Sequence, residues 1–412
     1  MTRKTAADIY EVQPYFQRFN HKNNMTRQGM WNESAGKVNK LRISNLKKFI
    51  EGNHSGYGIP DWGFFNGARA NLENTGFNVN MPNSYGNSWE PVANRGLSGK
   101  YPKPEQDFSK WHGSPEEASK LIKKLSLNFF GADLIGFCRL DRRWVYSHWF
   151  DEETKKEYPI RFSDEPGFEQ YDKPTQLEDK TQVIPKEMKY VAVLLYEMDE
   201  EAMATSPTLT AMAGTQVAYS RISYTTVSVA EFIRGLGYNA IPSSNCTALS
   251  IPLAIDAGLG QLGRNAKLIN PVFGPRCRIS KVITDLPLEV AEPIDLGVTE
   301  FCNQCMKCAK TCPTEAIPFG DRSFDPVNEC NHNGVLQWQL DHKKCADYWA
   351  KVGTNCGICI RTCPFNKGRG KIHTLTRWLI KKFRFMDPLF LKLDDIMGYG
   401  KFQSPEKFWD KE

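Results

Sequence analysis

Cysteine is the residue whose spacing promises chemistry in this chain. One run reads Cys302-x2-Cys305-x2-Cys308-x3-Cys312, followed by Pro313. A second reads Cys356-x2-Cys359-x3-Cys363, followed by Pro364, with Cys345 eleven positions upstream of Cys356. Three thiols from one tight loop can cap three corners of an iron–sulfur cubane, and the fourth cysteine of such a run, past the turn, reaches the neighbouring cluster. This spacing assigns Cys302, Cys305, Cys308 and Cys363 to one [4Fe–4S] cluster. It assigns Cys345, Cys356, Cys359 and Cys312 to a second. Zinc is the alternative, because Cys-x2-Cys pairs also build tetrahedral sites. A four-cysteine run with x2-x2-x3 spacing, followed by a partial copy, argues against it. Nine of the twelve cysteines lie between Cys302 and Cys363, a concentration that suits metal ligation better than a disulfide framework. Cys330, Cys138, Cys246 and Cys277 are left over and read as buried free thiols.

Three other features carry chemical potential. Gly258-Leu-Gly260-Gln-Leu-Gly263 matches G-x-G-x-x-G, but a dinucleotide site needs that motif after a strand and at the start of a helix. Here an apolar helical segment precedes it, so the glycines signal either close backbone approach to a bulky group or plain tight turns. Arg276 and Arg278 flank Cys277 and share one face at strand period. They begin an apolar strand, where an unpaired guanidinium is costly, which suggests that one holds an anion or a phenolate. None of the seven histidines falls in a paired metal motif, and no P-loop, G-x-S-x-G or Asp-x-His-x-x-G occurs.

These residues need elements to position them. Residues 1–113, rich in Asn, Gly, Trp and Tyr, read as a loop-rich unit. Ser114 is an N-cap, with Pro at the first helical position and two acids in the first turn; the helix runs to about Asn128. Strands are expected at 132–138, 190–196 and 277–283, and helices at 225–236 and 249–257. Strands alternating with helices make the core α/β. Residues 139–186 are charged and loop-like, an insertion. The organisation is therefore 1–113, a core at 114–298, a cysteine-rich segment at 299–366 and a tail at 367–412. The basic, aromatic tail reads as an amphipathic helix packed on its own protein or docked on a partner or membrane surface.

Composition narrows the function classes. The 412 residues carry a net charge of +6, modest and dispersed, so nucleic-acid binding is not indicated. No apolar run reaches the ~20 residues of a membrane helix, and no signal peptide is visible.

Residues 131–147 (GADLIGFCRLDRRWVYS), 184–199, 235–251 (GLGYNAIPSSNCTALSI) and 257–288 (AGLGQLGRNAKLINPVFGPRCRISKVITDLPL), with the two cysteine runs after them, resemble the corrinoid-dependent reductive dehalogenases of organohalide respiration. The resemblance spans about 114–366. It implies an α/β (α+β) fold: a nitroreductase-like core burying a base-off corrinoid, with a C-terminal ferredoxin-like insert for two [4Fe–4S] clusters. Tyr219 is similar to the family's proton-donating tyrosine, Asn245 to its substrate-side polar residue, and Arg278 to the arginine beside the tyrosine, with Arg276 as the fallback one strand pair away. Gly258, Gly260, Gly263 and Arg264 would face the corrinoid or its nucleotide tail. Met81, Tyr85 and Trp89 are candidates for the substrate-pocket wall. The implied activity is two-electron reduction of an organohalide, a small chlorinated alkane by overall similarity, at a Co(I) corrinoid fed by the clusters. The implied partner is a small integral-membrane anchor protein. The implied location is the outer face of the cytoplasmic membrane, after twin-arginine export of a precursor whose signal is absent from this chain. Epoxyqueuosine reductase and a pure electron-transfer subunit are the competing readings.

Overall fold

The computed structural model describes residues 4–74, 109–368 and 370–410; Met81, Tyr85 and Trp89 lie outside them. The core is a four-stranded sheet in the order Leu134–Arg139, Tyr190–Glu197, Cys277–Thr284, Ala240–Ser243. Every pairing in it is antiparallel, which places the chain in the α+β form of the expected class. Tyr190–Glu197 is central and buried on both faces. Val191, Val193 and Leu195 pack with the Ser250–Asp256 helix residues Leu253 and Ala254 on one side. Ala192, Leu194 and Tyr196 pack with Ala118, Ile122, Ala218 and Ile222 on the other. The continuous apolar run is thus that of a strand with no solvent face. The Pro115–Asn128 helix starts with the capping box expected at Ser114, whose hydroxyl accepts from Glu117 N while the Glu117 carboxylate accepts from Ser114 N.

Three expectations are corrected. The helix expected at 225–236 runs from Leu209 to Gly235. Its first half is built of small residues, most of them buried, so no one-sided apolar stripe marks it. The insertion expected to be loop-like carries a second sheet, ordered His148–Asp151, Lys156–Phe162, Gln182–Ile184, Thr175–Gln176; its strands are short and partly exposed, which hides their alternation. The N-terminal unit expected to be loop-rich is helical over Met25–Trp31, Glu33–Glu51 and Ile59–Asn74. Asn32 caps the second of these by accepting from Ser34 N and Ala35 N.

The N-terminal helices buttress the parts that matter. Asn45 donates to Ala350 O, Tyr57 donates through its hydroxyl to Val352 O and Pro207 O, and Ser220 donates to Ala68 O. The last of these pins the long helix one residue past Tyr219. Among the described residues no helix is long and apolar enough to cross a membrane.

Candidate active site and cysteine cages

The fold gathers Tyr219, Asn245 and Arg278 from three separate elements. Arg278 pairs across the sheet with Tyr196, so it shares that tyrosine's face, the one covered by the long helix. Tyr219 stands on that helix, half-buried, and the Arg278 guanidinium lies 5.2 Å from its ring centre. Asn245 Nδ2 donates to the Tyr219 hydroxyl at 3.2 Å. Two flanking bonds hold the Asn245 loop: Tyr146 donates to Asn245 O, and Lys281 Nζ to Ser244 O. Thr247 closes the loop at φ +64°, a left-handed conformation strained for a β-branched residue and typical of functional turns.

Arg276 behaves differently from its neighbour. It is fully buried and ion-paired with Glu197 at 2.8 Å and Glu200 at 3.4 Å; it also donates to Met198 O and to Asn366 Oδ1. It therefore ties the sheet to the cysteine-rich segment, and as a holder of a phenolate or a cofactor it is corrected. Arg278 has no such commitment among the described residues, where its buried Nε has no hydrogen-bond partner.

The glycine-rich turn packs closely against the protein itself. A Cβ at Gly260 would lie 2.4 Å from Ile269 O, and one at Gly258 2.8 Å from Glu292 O. At Gly263 it would meet the Ile269 side chain at 2.9 Å. These glycines admit the protein's own backbone and side chains on the side a Cβ would occupy. Arg264, expected to face a nucleotide tail, donates to Cys302 O, Pro318 O and Gly320 O and stacks over Trp338. Asn265, which sequence reasoning missed, donates to Cys359 O. The turn is a bracket that clamps both cysteine runs to the core.

Cys302, Cys305, Cys308 and Cys363 line one cavity, closed by Ile269, Phe301 and Phe365. Burial pushes the Cys302 thiol up to about 12 and Cys305 to about 11, and raises Cys308 and Cys363 as well. Cys302, Cys305 and Cys363 add to the resistance of Cys308 by mutual repulsion. The other four cysteines are coupled in the same way. Burial raises Cys356 and Cys345, and Cys359, Cys345 and Cys312 oppose ionisation of Cys356. Thiols so buried become thiolate ligands only around a cationic core, which an iron–sulfur cubane supplies. Among the described residues no three His, Cys, Asp or Glu side chains converge on a single ion; a cage holds its thiolates farther apart than tetrahedral zinc does. Lys267, also missed, and Arg278 both ease ionisation of Cys359 against its burial. The second cysteine set is therefore within electrostatic reach of the Tyr219 trio.

Around the same trio, buried polar atoms lack partners among the described residues: Ser244 Oγ, Thr247 Oγ1, His21 Nδ1 and His332 Nδ1, in addition to Arg278 Nε. Aromatic contacts chain these segments together. His332 meets Phe19 at 4.5 Å, Phe19 meets Tyr146 at 6.2 Å, and His21 stacks on Tyr146 at 4.8 Å. Native proteins leave few such orphans. Ser244 Oγ and Thr247 Oγ1, on either side of Asn245, fit a bound group with a polar rim.

The family profile described as "Reductive dehalogenase subunit" matches residues 34–288, and that of a "4Fe-4S double cluster binding domain" matches residues 301–366. The chain belongs to the reductive dehalogenase family. The tetrachloroethene reductive dehalogenase of Sulfurospirillum multivorans is 41% identical over 306 residues, 72% of this chain and 60% of that protein. The tetrachloroethene reductive dehalogenase of Dehalobacter restrictus is 35% identical over 313 residues, 71% of this chain and 56% of that protein. The chain thus spans about 60% or less of the length of these two reductive dehalogenase relatives. Among solved structures, the catabolic reductive dehalogenase NpRdhA shares the fold with a TM-score of 0.66 at 24% identity, over 95% of this chain and 48% of that one.

Proposed function

We propose that this reductive dehalogenase carries out R–X + 2 e⁻ + H⁺ → R–H + X⁻ on a small organohalide, with a corrinoid and two [4Fe–4S] clusters as cofactors. The observation that carries this reading is the junction of Tyr219, Asn245 and Arg278 beside the second cysteine set. A bound corrinoid would supply electrons to the carbon–halogen bond. The chain's own residues supply the rest. Tyr219 delivers the proton to carbon from its hydroxyl, phenols being protonated at neutral pH. Arg278, with unused donor capacity, stabilises the phenolate left behind. Asn245 orients the Tyr219 hydroxyl and the substrate. Cys302, Cys305, Cys308 and Cys363 hold one cluster, and Cys312, Cys345, Cys356 and Cys359 the other.

The relatives' names make tetrachloroethene a substrate to test beside chloroform and trichloroethane, the chlorinated alkanes to which overall similarity points. The family resemblance also supports twin-arginine export of a precursor and residence at the outer face of the cytoplasmic membrane with a small anchor protein. The deciding assay follows chloride release by anaerobically reconstituted protein with reduced methyl viologen, with corrinoid and iron measured on the same sample. Chloride release with about eight irons per chain and bound corrinoid supports the proposal. Iron without corrinoid binding, or corrinoid without chloride from any of the three substrates, overturns it. Cys363→Ala separately tests the crossed ligation: the cluster of the first run should be the one whose EPR signal is lost.

A further inference from the structure

The C-terminal helices are amphipathic in the unusual direction. Lys371–Lys382 and Asp387–Ile396 are joined by a short turn at Arg384–Met386. The inner side of this segment is well seated. Ile380, Phe390 and Leu391 join the cluster of Cys302, Cys305 and Cys363. Asp394 is buried between Lys307 and Lys367, and Arg384 donates to Gly297 O. The outer side is apolar too. Ile372 and Leu375 are exposed on the first helix, and Leu389, Leu393 and Ile396 on the second. The spacing of the last three, i, i+4 and i+7, makes one stripe. Phe385, in the turn between the helices, is 80% exposed and Ile396 71%. Monomeric proteins rarely leave continuous apolar strips of this kind open to water.

The charges around the strip say what covers it. Lys381, Lys382, Lys392 and Lys401 are exposed beside it. Two of the three acids of the same helix are withdrawn, Asp387 buried and Asp394 buried and paired, while Asp395 stays exposed with its charge matched by Lys307 at 2.6 Å. Trp378, Phe383 and Phe385 form an edge-to-face row, and Lys382 lies over the Trp378 ring. Apolar stripe, aromatic row and lysine fringe are the three parts of a helix that lies in the headgroup region of a bilayer. We propose that this strip is a membrane-interface surface that binds anionic lipid directly, with no other protein. Seated this way, the segment puts the cavity of Cys302, Cys305, Cys308 and Cys363 about one helix diameter, ~10 Å, from the headgroups. The proposal is independent of the catalytic reading, since it concerns the chain's surface and not its reaction.

The test is flotation of the purified, cluster-loaded full chain with protein-free vesicles of phosphatidylglycerol and phosphatidylcholine. Binding should require phosphatidylglycerol and weaken as salt shortens the screening length from about 10 Å to about 3 Å. The double variant Leu393→Glu/Ile396→Glu should bind on the order of tenfold more weakly or worse, with unchanged iron content and melting temperature. Leu121→Glu, on an exposed position of a distant helix, should bind like the parent. No vesicle binding overturns the proposal. So does unaltered binding by the double variant. Concentration-dependent dimerisation that the double variant abolishes, without lipid binding, assigns the strip to a second copy of the chain and also overturns it.

Discussion

The Tyr219–Asn245–Arg278 pocket and the Gly258–Asn265 turn both stand out in the sequence, and the fold treats them in opposite ways. In the turn every conspicuous group is occupied by the protein. Gly260 yields to Ile269 O, and Arg264 gives its donors to three carbonyls. In the pocket the conspicuous groups remain available. Among the described residues Arg278 keeps a buried donor without a partner, and the Tyr219 hydroxyl meets a single amide. The two arginines flanking Cys277 repeat the contrast two residues apart. Arg276 is locked between Glu197 and Glu200, while Arg278 lies over an aromatic ring. A motif residue is open to chemistry only when the fold leaves its hydrogen-bonding capacity free.

Substitutions can break that contrast. Tyr219→Phe should lower turnover by about 10² to 10⁴ while iron and corrinoid contents stay at parent levels; near-normal turnover would remove Tyr219 from the reaction. Arg264→Leu should do the reverse. It strands three carbonyls, destabilises the protein by roughly 3 kcal/mol, and costs iron from the cluster of the first run. If the iron stays and only corrinoid is lost, the turn faces a cofactor after all and the bracket reading fails.

Smaller effects sharpen it. Arg278→Lys should cost about 100-fold in turnover with little change in melting temperature, because lysine keeps the charge and loses the planar fork. The paired experiment, Arg276→Lys, should mainly lower the melting temperature; equal turnover losses in the two would erase the distinction between them. Gly260→Ala should destabilise by about 1 to 2 kcal/mol, read by denaturant unfolding, with corrinoid affinity unchanged per folded molecule.

Legibility in the sequence followed the range of the interaction. The Ser114 capping box and the strand at Tyr190–Glu197 depend on neighbours within a few residues or on burial of a whole run, and both were readable. The long helix was half readable: its second half has a conventional stripe, whereas its first half, with Tyr219, is small-residue and buried nearly all round. The short partly exposed strands of the second sheet, and helices mixed with aromatics near the N-terminus, left no period to detect. Asn265 and Lys267 carried no motif of their own, and only their position beside the cysteine runs gives them a role.

By itself the sequence determined the cysteine spacing, the apolar runs and the caps, because loop geometry and backbone hydrogen bonding act over a few residues. Tertiary structure decided the rest. It brought Cys363 into the cavity of the first run across some fifty residues. It set a helix, a loop and a strand so that Tyr219, Asn245 and Arg278 meet. It also gave Arg276 two carboxylates and left Arg278 a donor with no partner among the described residues. Whether a buried polar group has a partner depends on chain segments far apart in sequence, and no local pattern encodes that.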